Sequence, residues 1–210
     1  MAIYGVSNQN GNDGNAGSIG SPKATIQAGI GLLSSAGDVL YIGPGTYREE
    51  ITTRLTGDVG NPIKIIGDPD ALVMTADFPG ICRVTNTDAN NEEQPASDGT
   101  RTHDFQATTN TEIYNLWFDG TGYRDTAPGT YGYLTYCYYN DPKFYNCGFQ
   151  SAGYSCRGGQ YYNCFASGGY ITSYHGYWHN SVIAGAAYGL YTDTSHAFAK
   201  DCLFIGCYAG

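Results

Sequence analysis

The second half of the chain carries a degenerate repeat. Each copy reads Asn or Asp, a small or apolar residue, any residue, a second small or apolar residue, and then, a few positions on, a tyrosine. Copies start at Asn115, Asn146, Asn163, Asn180 and Asp201, with spacings of 31, 17, 17 and 21 residues. A period near about 20 residues signals stacked units rather than one closed globule. Each copy is too short for a helical hairpin and carries one alternating segment bounded by turn residues. In a strand, residues i and i+2 face the same way. Leu116 with Phe118, Cys147 with Phe149, Cys164 with Ala166, Ser181 with Ile183 and Cys202 with Phe204 are therefore expected on one side. Stacked copies place these pairs over one another, which predicts an all-β solenoid. The Asn/Asp column is expected to form an amide ladder at the turns.

Composition agrees. Of 210 residues 30 are Gly and only 14% are charged, which suits a turn-rich β protein. The net charge of −9, with ten Lys and Arg, argues against nucleic acid and against an anionic membrane surface as partners. No apolar run is long enough for a membrane-spanning helix. The first residues, Met1 to Asn8, lack the basic and apolar regions of a secretory leader, so the expectation is either a chain used without such export or a mature form given a starting Met. The seven cysteines show no zinc-site spacing. Cys147, Cys164 and Cys202 share one repeat position with Ser181, and are expected to be a buried stack of small side chains.

Along the chain, residues 1–22 read as an extended arm. Asp13 there is the one acid that suggests calcium, with a solvated loop as the alternative. Residues 23–36 have a short helical pattern between Ser21-Pro22 and Gly37. Val39–Ile42, Glu50–Thr53 and Ile63–Ile66 read as strands, and Gly43–Tyr47 as a turn. Polar stretches near 86–111 and 120–132 read as loop excursions, which on a rigid scaffold often bind ligands. Nothing resembling a polar cap follows the last copy. A partner stacked on that end, or further chain, is expected.

The segments Ala24-Thr25-Ile26-Gln27-Ala28, Gly37-Asp38-Val39-Leu40-Tyr41-Ile42, Pro44-Gly45-Thr46-Tyr47-Arg48-Glu49 and Asn61-Pro62-Ile63-Lys64-Ile65-Ile66-Gly67 resemble the opening of a right-handed parallel β-helix of the pectin-lyase-like superfamily. The Asn-Cys-x-Phe copies resemble its later coils. The resemblance implies a right-handed parallel β-helix over residues 23–210, with 23–36 as a helix capping its N-terminal end. It does not fix a function, because the superfamily spans lyases, hydrolases, epimerases, viral tailspikes and non-catalytic modules.

No lyase or polygalacturonase motif matches residue by residue. Asp119, Asp125, Asp141 and Arg157 are the catalytic candidates, should they meet at a coil edge. His175 and His179 are four apart but on turn and strand, where helical metal-binding geometry fails. His179 stands where Tyr145 and Tyr162 stand in other copies and is expected to be structural. Tyr123, Tyr154, Tyr170, Tyr188 and Tyr208 recur after each Asn/Asp. Tyrosine carries an apolar ring and a polar tip, so these five are the candidate contacts for a glycan or a protein partner.

These features predict a non-catalytic structural or adhesion protein; its resemblance to phage and virion β-helix proteins implies a bacteriophage virion component: a capsid decoration, head fibre or tailspike segment. Its partners are expected to be other virion subunits, host-surface polysaccharide, or copies of itself in an oligomer, with no membrane insertion. No cofactor is expected, calcium being the one weak candidate. The alternative is a secreted polysaccharide lyase or glycoside hydrolase acting on an extracellular glycan.

Overall fold

The computed structural model describes residues 1–52, 56–85, 103–107, 109–120, 133–137, 142–151, 154–168, 171–185, 188–191 and 198–207. Among these residues the chain winds as a coil of short strands that form three parallel sheets of eight, seven and six strands. One turn of the coil runs Thr111–Tyr114 in the first sheet, Trp117–Gly120 in the second and Tyr133–Cys137 in the third, then Lys143–Tyr145 back in the first. Each strand pairs only with the strand one coil before and one coil after, without register slip. This is a right-handed parallel β-helix, as the repeat and the resemblance predict.

The corner between the first and second sheets explains the repeat. Asn115, Asn146, Asn163, Asn180 and Asp201 all have φ between 47° and 56°. Asparagine and aspartate tolerate this left-handed conformation better than other side-chain-bearing residues. The amides also stack: Asn180 Nδ2 donates to Asn163 Oδ1 at 2.8 Å, Asn146 Nδ2 to Asn115 Oδ1 at 3.4 Å, and Asn115 Nδ2 to the Gly67 carbonyl at 3.3 Å. After each such residue the next side chain turns inward. Leu116, Cys147, Cys164 and Ser181 are buried, as are Phe118, Phe149, Ala166 and Ile183 two positions on. Among the described rungs the last departs from the pattern, with Phe204 exposed beside Leu203 and Ile205. No disulfide joins the seven cysteines, and burial raises the Cys147 thiol well above its ordinary value.

The core is a stack of aromatic rings with complementary sizes across the sheets. From the first sheet come Ile113, Phe144, Tyr161 and Trp178; facing them in the second are Phe118, Phe149, Ala166 and Ile183. The two largest first-sheet rings, Tyr161 and Trp178, face the two smallest second-sheet side chains, Ala166 and Ile183, which keeps the interior close-packed. Phe118 lies on Phe149 at 5.2 Å, Phe144 on Tyr161 at 4.9 Å and Tyr161 on Trp178 at 4.2 Å, while Phe149 meets Tyr161 edge-on at 5.4 Å.

Four local expectations need correction. Ile3–Val6 in the N-terminal arm is a strand, pairing with Val39–Ile42 as the first rung of the first sheet. The helix spans only Ile26–Ile30, with Thr25 as N-cap. Its Ile26 and Ile30 cover the N-terminal end of the core, and a Cβ on Gly29 would come within 2.4 Å of Val6. Gly45–Arg48, which reads as a turn, is a strand; the ring of its Tyr47 is buried and the hydroxyl donates to the Gly43 carbonyl. His103–Ala107, inside the first proposed excursion, is a strand of the third sheet. Residues 86–102 and 108 of that excursion, and 121–132 of the second, lie outside the described residues, while Thr111 opens the strand Thr111–Tyr114.

Carboxylates fasten the N-terminal segment. Asp13 accepts from the amides of Ala24 and Thr25 at 2.8 and 2.9 Å and from the Thr25 hydroxyl at 3.0 Å, so its oxygens serve the helix start. Asp38 accepts from the amides of Ala2, Ser34 and Ser35 at 2.7, 3.1 and 3.0 Å. Burial alone would raise both carboxyls; these hydrogen bonds outweigh it and hold both below 3.8. A depressed acid stabilises the fold fully above its unfolded value, and the contribution is lost as pH falls through the lower folded value. Amide exchange at Ala2, Ser34 and Ser35 should therefore stay protected through the ordinary carboxylate range and open only at lower pH. In Asp38→Asn the same amides should be less protected at neutral pH and should change little on acidification.

Candidate functional site

Of the four catalytic candidates, Asp119 and Arg157 lie among the described residues, on different sheets. Asp119 lies in the second sheet, where the Arg83 guanidinium pairs with it at 3.6 Å. Arg157 lies in the third sheet, in register between Tyr136 and Tyr174. Asp125 and Asp141 lie outside the described residues. Of the five recurrent tyrosines, Tyr154 and Tyr188 have their backbones in third-sheet strands, each in register with Ile171. Their side chains, and the whole of Tyr123, Tyr170 and Tyr208, lie outside the described residues.

A different aromatic column stands on the outer face of the first sheet. It consists of the residue just before each Asn: Tyr114, Tyr145, Tyr162 and His179. The rings stack at 4.8, 5.0 and 4.8 Å with planes 12°, 15° and 8° apart. His179 is thus the structural equivalent of a tyrosine, as its repeat position predicts. Alternation dictates the geometry: Tyr161 points in and is fully buried, while Tyr162 points out and is half-buried.

Two residues earlier in each strand lies a parallel outward column: Lys64, Glu112, Lys143, Gln160 and Tyr177. The two columns are tied together. Tyr114 Oη donates to Glu112 Oε2 at 2.7 Å, and Tyr162 Oη to Gln160 Oε1 at 2.7 Å. Burial, then the bond to Glu112 and its charge, raise the Tyr114 phenol; burial and Glu112 likewise raise that of Tyr145. Both therefore remain protonated donors at neutral pH.

Beside these columns the turn at Asp58–Asn61 rises to form one wall of a cleft of about 280 Å³. Lys64, Glu112 and Lys143 floor it on successive rungs, and Asp58, Pro62 and Asn110 close its side. Alternating charges at a rung spacing of about 4.8 Å offer donors and acceptors to a polar ligand. The sequence signal for this face was an outward residue and an aromatic two positions apart, immediately before each Asn.

No protein-family model matches the sequence, and no curated protein matches it. Solved structures do resemble it. A rhamnogalacturonan lyase superposes with a TM-score of 0.68 at 17% identity, over 99% of this chain and 56% of that one. The pectin methylesterase PemA from Erwinia chrysanthemi gives 0.64 at 14% identity, over 98% and 66%. A lacto-N-biosidase from Eubacterium ramulus gives 0.64 at 10% identity, over 89% and 42%. The chain has the pectin-lyase-like fold. It spans about half the length of the lyase and less of the biosidase.

Proposed function

We propose that this chain is a glycan-binding β-helix that serves attachment rather than turnover, on a virion or another extracellular surface. The observation that carries the reading is the cleft on the first sheet, floored by Lys64, Glu112 and Lys143 and bordered by the ring ladder that starts at Tyr114. Sugars present hydroxyls that both donate and accept, and this floor supplies both. The hydrogen bond from Tyr114 pre-orients Glu112, which limits the ordering cost on binding. Similar folds act on glycans in the lyase, the esterase and the biosidase, which supports a carbohydrate ligand.

The test is affinity electrophoresis in capsular, lipopolysaccharide and pectic glycans, with reducing and unsaturated ends followed in parallel. Retardation by at least one glycan without new ends is expected. Lys143→Ala should weaken that binding about tenfold, equivalent to ~1.4 kcal/mol. Release of new ends would replace this reading with a lyase or hydrolase. Absence of retardation in every gel would remove the glycan ligand.

A further inference from the structure

The outer face of the second sheet carries an arrangement that the cleft does not use. Trp117, Gly148 and Phe165 occupy the same register position on three successive rungs. A Cβ on Gly148 would stand 2.1 Å from Trp117 Cε3 and 2.4 Å from Cζ3, so the indole leans along the helix axis and fills the space of the missing side chain. It reaches Phe165 at a centroid distance of 6.2 Å, with 22° between the ring planes. Together they make one aromatic ledge. Phe165 is 38% exposed although it is a large apolar side chain on an outer face. The ladder on the first sheet differs, because there each ring covers the face of the next and leaves edges outward.

A polar row borders the ledge. Asp119, Gln150 and Ser167 lie in register two residues further along the same strands. Arg83, one rung below Trp117, holds the Asp119 carboxylate at 3.6 Å. Planar amide, carboxylate and guanidinium groups beside an aromatic surface match a pyranose ring, whose C–H face is apolar and whose rim carries hydroxyls. Charge selects among sugars. Arg83 is neutralised by Asp119 and the chain carries −9, so a polyanion is disfavoured here. Size selects against protein: four rungs by two columns cover on the order of 150 Å², far below the ~800 Å² per partner of a stable protein interface.

We propose that Trp117 and Phe165 form a stacking subsite for a neutral hexopyranose chain, with Asp119 and Gln150 receiving its hydroxyls. This rests on the reading of the chain as a glycan binder but uses a separate face. The protein has two tryptophans, and Trp178 is fully buried. Acrylamide quenching therefore reports on Trp117, and the unquenched emission of Trp178 reports on folding.

The experiment titrates cellohexaose, maltohexaose and mannohexaose, with polygalacturonate as the anionic comparator. At least one neutral hexaose should shield Trp117 from acrylamide, and polygalacturonate should not. By calorimetry, Trp117→Ala should weaken that hexaose about tenfold or more, as loss of a central aromatic anchor does. Gly148→Ala keeps the tryptophan but displaces it, and should weaken binding severalfold. Shielding by none of the hexaoses, or unchanged affinity in both variants, overturns the proposal. So does shielding that grows with protein concentration alone, which would mean that a second copy covers the ledge. Lys143→Ala separates the two faces. Hexaose binding lost in Lys143→Ala but kept in Trp117→Ala leaves the cleft and removes the ledge. Hexaose binding lost only in Trp117→Ala supports the ledge, and retardation unchanged by Lys143→Ala then removes the cleft.

Discussion

Trp178→Ala should lower the unfolding free energy by about 3–5 kcal/mol, the range for deleting a fully buried large aromatic. The indole has no exposed surface, lies on Tyr161 at 4.2 Å and meets the edge of Phe149 at 6.1 Å. Its neighbours on the adjoining rung and across the core are Ala199 and Ile183, too small to fill the void. In a solenoid each unit contacts only its neighbours, so the damage should be local. Denaturant unfolding followed by far-UV circular dichroism should show a lowered midpoint. Limited proteolysis should cut first in the coils beyond residue 171. A midpoint unchanged from the parent protein would mean that the ring stack is not what stabilises this end. Trp178→Phe, which keeps a ring on Tyr161, should recover much of the loss.

Asp68→Ala should cost about 1–3 kcal/mol, because a buried donor left unpaired costs roughly that much and the Met74 amide is buried, while those of Leu72 and Val73 are partly open to water. The carboxylate is 7% exposed and accepts from the amides of Leu72, Val73 and Met74 at 3.0, 2.7 and 2.7 Å. It organises the irregular segment between the strands Ile63–Gly67 and Cys82–Thr85, where no ladder is available to those amides. Burial pushes the neighbouring Cys82 thiol up to about 12, with the charges of Asp68 and Asp77 adding to it. Two readouts follow: a lower denaturation midpoint, and faster exchange confined to Leu72, Val73 and Met74. Asp68→Asn keeps one acceptor oxygen and should fall between parent and alanine variant. Unchanged exchange at those three amides would rule out this role.

The coil geometry was legible because it rests on one recurrent physical need. A sharp corner between sheets wants a left-handed residue, and Asn115, Asn146, Asn163, Asn180 and Asp201 supply it. From Asn115 to Asn180 the inward positions follow by counting from that corner, and among the described rungs only the last, with Phe204 exposed, departs from it. What sits outside was harder to see. Tyr161 and Tyr162 are adjacent and chemically identical, yet one is core and the other surface. Residue type cannot separate them, and only the distance from Asn163 does. The strand Gly45–Arg48 was hidden by the turn-like Gly43-Pro44-Gly45, and the strand Ile3–Val6 by the loop-like residues that follow it. The cleft was invisible for another reason. Asp58 and Lys143 are far apart in sequence, and only coil stacking brings their rungs together. The ledge leaves a faint trace: a glycine at 148, where other copies carry a side chain, makes room for the indole of Trp117.

In-register pairing also makes height along the axis a stepped quantity. Each coil adds about 4.8 Å, whatever its loops contain, so the offset between any two surface groups is a whole number of coils. The uninterrupted 17-residue intervals from Asn146 to Asn163 to Asn180 are the shortest closed units of this ruler. Duplicating or removing one such unit would shift every downstream side chain by one step while preserving the face on which it stands. Binding surfaces on this scaffold can thus change length in sequence space without changing chemistry, much as a strip of tiles is extended by one more identical tile.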